Sequence, residues 1–519
     1  MFLTIVTGVA HSGGPDSTCL LYLLNAWLKT QSVPSISLLS LTVDHQLQSS
    51  STLITQQAAN FARSLGVQNC ILTIPWSIPP YPKRPENDEA FEAIARQARY
   101  DILQSEMKTY GSFLLAMAHH ADDNVETLLM RINDQIGYSN KADLKSVLNP
   151  IRPRRRIGMS NANKLLGLRQ WILRPLLSVP KTRILATCEH YKIPYTIDQT
   201  NFQPSITPRN FIRYCLQTRL DTQQHSTITP PTNSRLTVDL VNESISTLES
   251  VAEKYVPSTY GSPLSSRLYS AAKYVSDCRE TLDEKVTSYL SQLTLPSPIS
   301  TLTLPSNVPP IQDALVPPYI IRRILRYISP APWGHPSAEA FGSSTNLEKI
   351  SSLIWANSVP DAERRPFTLG SQVIWRPHTR KSFQGKKILC WIASRQPPIL
   401  RNGSIEPCLV EITHIFKSSQ DEEFQIVWDN RFLVIIRPTL MPSHVKKLLL
   451  THTNARIVIA PYSKWFSPRL EFRYPSDNKE CLIVLGECPN YLATPFSLQK
   501  EASPLGWISF EFIRPIDSI

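Results

Sequence analysis

The sequence predicts an α/β fold: a doubly wound parallel sheet in the first half, then a helical region, then a β-rich C-terminal region. Three observations carry this prediction. Up to about residue 220, short apolar runs rich in branched residues alternate with helix-length stretches. A polar, proline-bearing stretch then interrupts the pattern and two long helical stretches follow. From about residue 367 onward, β-type segments dominate.

The parallel strands are expected at "FLTIVTGVA", "ISLLSLTV", "NCILTIP" and "SFLLAMA". Helices are expected at "STCLLYLLNAWLK", "TLITQQAANFARSLG" and "DEAFEAIARQARYDILQSEMKTYG"; the last opens with acids and ends at Lys108 and Gly111, the polarity a helix dipole favours. In such a fold a ligand sits at the carboxyl ends of the strands. The expected domains are 1–220, the catalytic domain; 221–237, a linker; 238–366, mainly helical with a proline-rich break near 294–318; and 367–519, β-rich. The second half contributes the helices "DLVNESISTLESVAEKYV", "SRLYSAAKYVSDCRETLDEKVTSYLSQL" and the basic amphipathic "YIIRRILRYI".

Composition narrows the function. Of 519 residues, 42% are apolar and 18% charged, a globular balance that suits about two to four domains. No uninterrupted apolar segment is long enough to cross a bilayer, so no membrane partner is expected. "MFLTIVTGVA" is too short, and lacks the basic flank, for a signal peptide. Nine scattered cysteines without a CxxC pair argue for a reducing compartment and against a disulfide framework, a zinc ribbon or a cysteine-held cluster. A net charge of +12 favours an anionic partner, nucleic acid first.

Between the first run and the first helix lies "HSGGPDSTCL". A strand, a glycine turn and a helix leave backbone N–H groups pointing outward at a helix N-terminus, where the dipole favours an anion. Gly13 and Gly14 let the backbone approach a phosphate, and Ser12 and Ser17 add hydroxyls. Asp16 would repel a bare phosphate, so it argues for Mg²⁺ between the two, hence a magnesium–nucleotide site. No Gly-Lys-Ser/Thr follows, which excludes a Walker A loop. The competing reading is a capped helix with Asp16 or Ser17 as N-cap.

"SGGPDS" after a first strand resembles the pyrophosphate loop of the ATP-pyrophosphatase, or PP-loop, superfamily, whose members adenylate a substrate and release pyrophosphate. "LTVDHQL", "EAIARQARYDIL" and "LLAMAHHADDNVETLLMRI" are similar to the second-strand, ARxxRY and HHxDDxxET motifs of tRNA(Ile)-lysidine synthetases. "LRPLLSVPKTRI" and "IDQTNFQPSITPRNFIR" resemble their RPLL and RNxIR motifs. These ordered motifs span residues 5–213; "VPPYIIRRILRYI" and "WDNRF" are weaker similarities to later regions of some members.

The resemblance implies an ATP-dependent ligase that forms a carbon–nitrogen bond on tRNA. ATP would adenylate the C2 oxygen of the first anticodon cytidine of tRNA-Ile bearing CAU, releasing pyrophosphate. The ε-amine of L-lysine would then attack C2 and expel AMP. Lysine as nucleophile rests wholly on the resemblance. ATP and Mg²⁺ are the implied cofactors, and a homodimer is an assembly to test for. Alternatives are a tRNA 2-thiolation enzyme of the same superfamily, against which the lack of CxxC counts, and a tRNA-binding homologue with impaired turnover.

The site residues follow from these motifs. Ser12, Gly13, Gly14, Pro15, Asp16 and Ser17 would bind ATP. His119 and Asp123 lie about one turn apart if a helix starts near Ala121, so an imidazole could contact phosphate or move a proton while a carboxylate holds Mg²⁺. A plain capping box over Asp123 and Glu126 is the rival, and the acids could do both jobs. Asp44, at the end of the second strand, is a candidate ribose contact or a solvated loop residue. Arg96, Arg99 and Tyr100 recur along one helix, by default a solvated face; the resemblance makes Arg99 a substrate contact. Arg209, Asn210 and Arg213 form a fork-bearing segment suited to phosphate, with Arg209 placed by the resemblance at the site mouth. "IRPRRRIG" at 151–158 suits a tRNA backbone or a solvated loop.

Two departures stand out. The family's glycine loop after "LLMRI" is replaced by an intervening segment within 133–171. Met1 falls almost on the first strand, where relatives have a leader, so a preceding segment is expected outside this sequence. Basic charge and the family's usual setting point to the mitochondrial matrix or another organelle, or to the cytoplasm if the source is bacterial.

Overall fold

Branched residues at Ile5, Val6 and Val9 open β1 (Ile5–Ala10), a central strand of a six-stranded sheet. The computed structural model describes residues 5–31, 36–48, 50–85, 91–139, 150–160, 165–221, 229–231, 234–308, 311–335, 338, 344–355, 364–381, 385–397, 408–417, 423–462, 464–474, 479–484, 500–502 and 506–517. Most of the expected 221–237 linker, residues 140–149 and 161–164 of the intervening segment, and the end of "CLIVLG" lie outside the described residues. The chain divides into two compact units, Met1–Leu282 and Asp283–Ile519.

In the first unit the alternation becomes β1, α1 (Pro15–Gln31), β2 (Ile36–Asp44), α2 (Ser51–Ser64), β3 (Gln68–Thr73), α3 (Phe91–Thr109), β4 (Leu114–Ala116) and α4 (Ala121–Ser139). β5 (Arg154–Arg156), α5 (Leu166–Arg169), β6 (Trp171–Leu173), α6 (Lys181–His190) and α7 (Pro208–Asp221) follow. The sheet order is β3-β2-β1-β4-β6-β5. All pairings are parallel except β5 on β6. The chain winds outward from β1 through β2 and β3, then restarts beside β1 with β4. That reversal opens a crevice at the carboxyl ends of β1 and β4. Apolar layers flank the sheet on both sides, Val9, Leu20, Leu21 and Ile184 in one and Leu41, Leu103, Leu115 and Ile172 in the other.

α8 (Val238–Tyr255) also belongs to this unit, beyond the boundary expected from composition. Its Val241, Ile245, Leu248 and Ala252 form a buried stripe at helical spacing, and it packs on α4 and α7. α9 (Leu264–Leu293) runs through the point of division at 282/283. The first unit thus takes up one helix and part of a second from the region expected to stand apart.

The second unit contains β7 (Leu302–Pro305), α10 (Val316–Ile328), α11 (Ser344–Ile354), β8 (Phe367–Thr368), β9 (Val373–Lys381), β10 (Lys387–Arg395), β11 (Val410–Glu411) and α12 (Thr413–Lys417). It continues with β12 (Phe424–Trp428), β13 (Phe432–Ile436), α13 (Ser443–Thr451), β14 (Arg456–Tyr462), β15 (Ser467–Arg473), β16 (Lys479–Val484), β17 (Lys500–Ala502) and β18 (Ile508–Phe512). Among the described residues, three four-stranded antiparallel sheets result, β7-β10-β9-β8, β11-β14-β15-β16 and β12-β13-β18-β17. The basic helix α10 does not present its arginines to solvent as an amphipathic surface helix would. Arg323 and Arg326 are both buried, and Arg323 donates to the Thr287 hydroxyl and the Asp283 carbonyl. No described helix is long and apolar enough to cross a membrane.

Candidate active site

The loop between β1 and α1 owes its shape to Gly13, whose φ of +84° is left-handed backbone that side-chain-bearing residues rarely adopt. A Cβ there would also press on Ala58 Cβ and Ile54 Cγ2 at 3.3 Å. Pro15 occupies the first helical position, where its fixed φ suits a helix start. Ser17 Oγ accepts from Ser12 N–H at 3.1 Å and donates to the Gly14 carbonyl at 3.2 Å, closing the loop on itself. The Gly13 carbonyl accepts from Thr196 N–H at 2.9 Å, so the loop is tied to the following chain as well. His11 is buried between Ser40 and Thr18, at 3.1 and 3.2 Å, and burial pulls its pKa to about 4. It is a neutral brace linking β1, β2 and α1.

α4 begins at Ala121, one residue after His120. Asp123 Oδ2 accepts from the His120 backbone N–H at 3.0 Å, so Asp123 caps the helix from its third position, not as the first member of the expected box with Glu126, which is held by Arg213 instead. The same carboxylate joins a charge cluster, with Oδ1 3.6 Å from Arg209 and Oδ2 3.6 Å from His120 Nε2. Asp123 is therefore both a cap of α4 and a member of this charge cluster. Burial would raise its pKa, but His120 and Arg209 outweigh that and lower it.

Asp16 Oδ1 is 2.5 Å from Lys181 Nζ and 3.8 Å from His120 Nε2. Lys181 is the first residue of α6, and its backbone N–H donates to Asp122 Oδ2 at 2.8 Å. Asp122 Oδ1 accepts from Tyr269 of α9 at 2.8 Å. Burial works against the Asp122 carboxylate, yet His120, the Lys181 N–H and Tyr269 hold its pKa at about 2. Burial likewise opposes charge on His120, but Asp122, Asp123 and Asp16 surround it and raise its pKa.

His119 has the opposite environment. Burial and Arg174 pull its pKa to about 3, so the ring is neutral near pH 7. Arg174 Nε lies 3.1 Å from His119 Nδ1. Arginine can only donate, so Nδ1 is the acceptor and the ring proton sits on Nε2. The two adjacent histidines are thus split into a neutral donor and a cation-favouring partner of three carboxylates.

The "RNFIR" segment forms the first turn and a half of α7, started by Thr207, whose hydroxyl accepts from Asn210 N–H at 3.1 Å. Arg209 donates to Thr127 at 2.8 Å and lies 3.5 Å from Glu126. Arg213 grips Glu126 with both fork nitrogens, at 2.8 and 3.0 Å. Glu126 is only 2% exposed; burial raises its pKa despite both arginines. Asn210 is turned away, donating to the carbonyls of Thr200 and Gln203.

Two other expected contacts sit off this centre. Both oxygens of Asp44 are engaged at the start of α2, by Ser51 at 2.5 Å, Gln46 N–H at 3.0 Å and Thr52 at 3.0 Å. Arg99 is exposed, its charge felt by His45 and Tyr100. Arg96 is the member of that helix whose charge reaches His119. Tyr100 is buried, which would raise its pKa, but Arg96, Arg155, Arg174 and Arg99 bring it to about 8.

Sequence reasoning assigned no role to Lys181, Arg174 or Tyr269. The first two stand inside the quoted "LRPLLSVPKTRI", and a lysine opening a helix that follows a strand was the available signal. In the intervening segment, Gly158 and Gly167 pack backbone to backbone; a Cβ on Gly167 would lie 1.6 Å from the Gly158 carbonyl oxygen. Among the described residues, no three His, Cys, Asp or Glu side chains are grouped to hold a metal ion by themselves.

A glycine loop, an acid and a lysine at the switch point of a parallel sheet define a nucleotide-binding α/β protein, and residues 5–220 match the PP-loop domain family. tRNA(Ile)-lysidine synthase from Bacillus licheniformis is 30% identical over 216 residues, 41% of this chain and 40% of that protein. The enzyme of the same name from Alkalilimnicola ehrlichii is 34% identical over 40% of each chain. That from Methylobacterium sp. is 32% identical over 49% of this chain and 64% of its own. Over these residues the chain is similar to enzymes named tRNA(Ile)-lysidine synthase and carries a PP-loop domain. The matches span 40% to 64% of these relatives' own length. Among solved structures, a U34-tRNA thiolase from Methanococcus maripaludis with its 4Fe-4S cluster is similar at a TM-score of 0.31 and 16% identity. That similarity covers 53% of this chain and 73% of that one.

Proposed function

We propose that the protein is an ATP-dependent tRNA(Ile)-lysidine synthetase. It adenylates C2 of the first anticodon cytidine of tRNA-Ile bearing CAU, releases pyrophosphate, and ligates L-lysine with loss of AMP. The observation that carries the reading is the convergence of Asp16, Lys181, His120, Asp122, Asp123 and Arg209 beside the α1 N-terminus. The similarity to enzymes of that name supports the substrate.

The backbone of Ser12–Ser17 and the α1 dipole stabilise charge developing on the departing pyrophosphate. Lys181, 30% exposed and resting on a 27% exposed Asp16, can turn from carboxylate to phosphate without leaving the site. His119 offers its Nε2 proton to an oxygen that gains charge, as a neutral donor rather than an imidazolium. Arg209, anchored by Glu126 and Thr127, presents its guanidinium to substrate phosphate or to the adenylated base. Asp44 and Arg99 reach ATP or tRNA in this reading only by changing the partners or the surface they now have. Asp16 and Asp123 both approach His120 Nε2 and are the carboxylates that would hold Mg²⁺, which takes one or two carboxylates and completes its shell with phosphate oxygens and water. When bound there, Mg²⁺ would neutralise phosphate charge.

The test is incubation of the protein with ATP, Mg²⁺, labelled lysine and CAU-bearing isoleucine tRNA. Lysine incorporation with one AMP formed per lysine supports the reading. ATP consumption with sulfur transfer would favour the thiolation enzyme, and tight tRNA binding without ATP consumption the non-catalytic homologue.

A further inference from the structure

The "WDNRF" segment plays no part in the proposed chemistry. Asp429 and Asn430 both take left-handed backbone, φ 52°, so β12 and β13 are joined by a tight turn. The Asp429 carboxylate accepts from Arg395 Nε and Nη2, each at 2.8 Å, and from Arg431 Nε at 2.7 Å. Arg431 Nη2 donates to the Phe466 carbonyl at 2.8 Å. The Ile513 N–H donates to the Arg431 carbonyl at 2.9 Å, which brings Arg514, the next residue, into the same cluster. Arg514 Nη2 donates to the carbonyls of Ser329 and Ala331.

Arg395 and Arg431 therefore share one carboxylate, Arg514 feels its charge, and none of the three is more than 4% exposed. Arg431 Nη1 and Arg514 Nε and Nη1 are buried and have no hydrogen-bond partner among the described residues. A guanidinium keeps its proton in proteins, so the surplus is not relieved by neutralisation. Burial and Arg431 push the Arg514 pKa down to about 9, the same imbalance seen from the titration side. α10 ends beside Ser329, and its partial negative charge offsets part of the Arg514 charge. Backbone carbonyls satisfy donors but supply no full counter-charge, and unpaired buried charge is strongly disfavoured.

We propose that this cluster binds a small inorganic anion through Arg431 and Arg514. The ligand is a free ion and not a nucleic-acid phosphate, because none of these arginines is open enough to meet a polymer. Halide and oxyanion share the required charge, and the experiment separates them.

The full chain is dialysed into a gluconate buffer of fixed ionic strength, and its thermal unfolding is followed while gluconate is exchanged for chloride, phosphate or sulfate. A ligand that binds only the folded state raises the midpoint with the logarithm of its concentration, whereas a general salt effect grows in proportion to concentration. The expected result is a logarithmic rise beginning at low concentration in the wild type and lost in Arg514→Met. Chloride alone would identify a halide; phosphate and sulfate alone would identify an oxyanion. Crystals of the wild-type protein grown with bromide or selenate keep the test independent of the variant's folding, and should show an anomalous peak against Arg431 and Arg514. An equal, proportional rise in both proteins, or no peak with either ion, would overturn the proposal. So would a thiolate at Cys408, whose Sγ lies 3.7 Å from Arg395 Nη2, if rapid alkylation near neutral pH accompanied indifference to anions.

Discussion

Two charge clusters in this chain are built on opposite terms. Around the PP-loop, cations and acids alternate: Asp16 with Lys181, Asp122 and Asp123 with His120, Glu126 with Arg213 and Arg209. Several of these side chains keep a quarter of their surface in solvent and could exchange partners with little desolvation. Around Asp429, the arginines outnumber the acid and are enclosed. The difference teaches that partner exchange, rather than charge density, distinguishes the cluster proposed to act on ATP. A group that must meet phosphate needs a present partner it can leave.

Substitutions at the two clusters should break that comparison in different ways. Asp16→Ala is expected to have the largest effect, a loss of about 10³-fold in ATP–pyrophosphate turnover with the fold retained, read by exchange assay and circular dichroism. Wild-type turnover in that variant would remove Asp16 from the reaction. Arg209→Ala should lower kcat/KM for tRNA by about 10²-fold, while Arg213→Ala, which leaves buried Glu126 less well paired, should show mainly in stability, about 2–3 kcal/mol by urea unfolding. A reversal of that division would mean that Arg213, not Arg209, meets substrate.

Tyr269→Phe removes one donor from Asp122 and should reduce kcat by less than about 10-fold, since a hydrogen bond to a charged group contributes about 1.5–3 kcal/mol when buried and less here. An unchanged kcat and pH profile would show that α9 merely packs. The smallest effect concerns pH. His120 has a raised pKa in the folded protein, so its stabilisation is complete below the ordinary histidine value near 6.5 and fades as pH rises through the raised value. From pH 6 to 9 the unfolding midpoint of His120→Gln should therefore rise relative to that of the wild type. His119→Gln should do the reverse and fall relative to the wild type between pH 6 and 7, because a ring held neutral in the folded protein takes up its proton only on unfolding.

Much of the first unit was legible because period and chemistry agreed. Strand runs bounded by glycine or acid became β1, β2, β3 and β4, and α4 starts at Ala121 as the spacing implied. The site was legible only where residues cluster in sequence: Ser12–Ser17, His119–Asp123 and Arg209–Arg213. Tyr269 lies 147 positions from Asp122, and no local pattern announces such a pairing. Lys181 was hidden by being ordinary, a lysine at a helix start. In the second half, composition drew a boundary at 221–237, whereas the apolar stripe of α8 found its partner surface on α4 and α7. A polar linker records where the chain is soluble, not where a core closes.

Gly13 carries a thermodynamic consequence. Seated against Ile54 and Ala58 and held by Thr196, it leaves the loop little to lose on binding. The entropy of ordering those backbone donors is lost during folding, before any nucleotide arrives. Recognition of the phosphate tail should then be driven largely by enthalpy, with a small conformational penalty. The loop resembles a cast already set, whose shape the nucleotide meets and does not have to make.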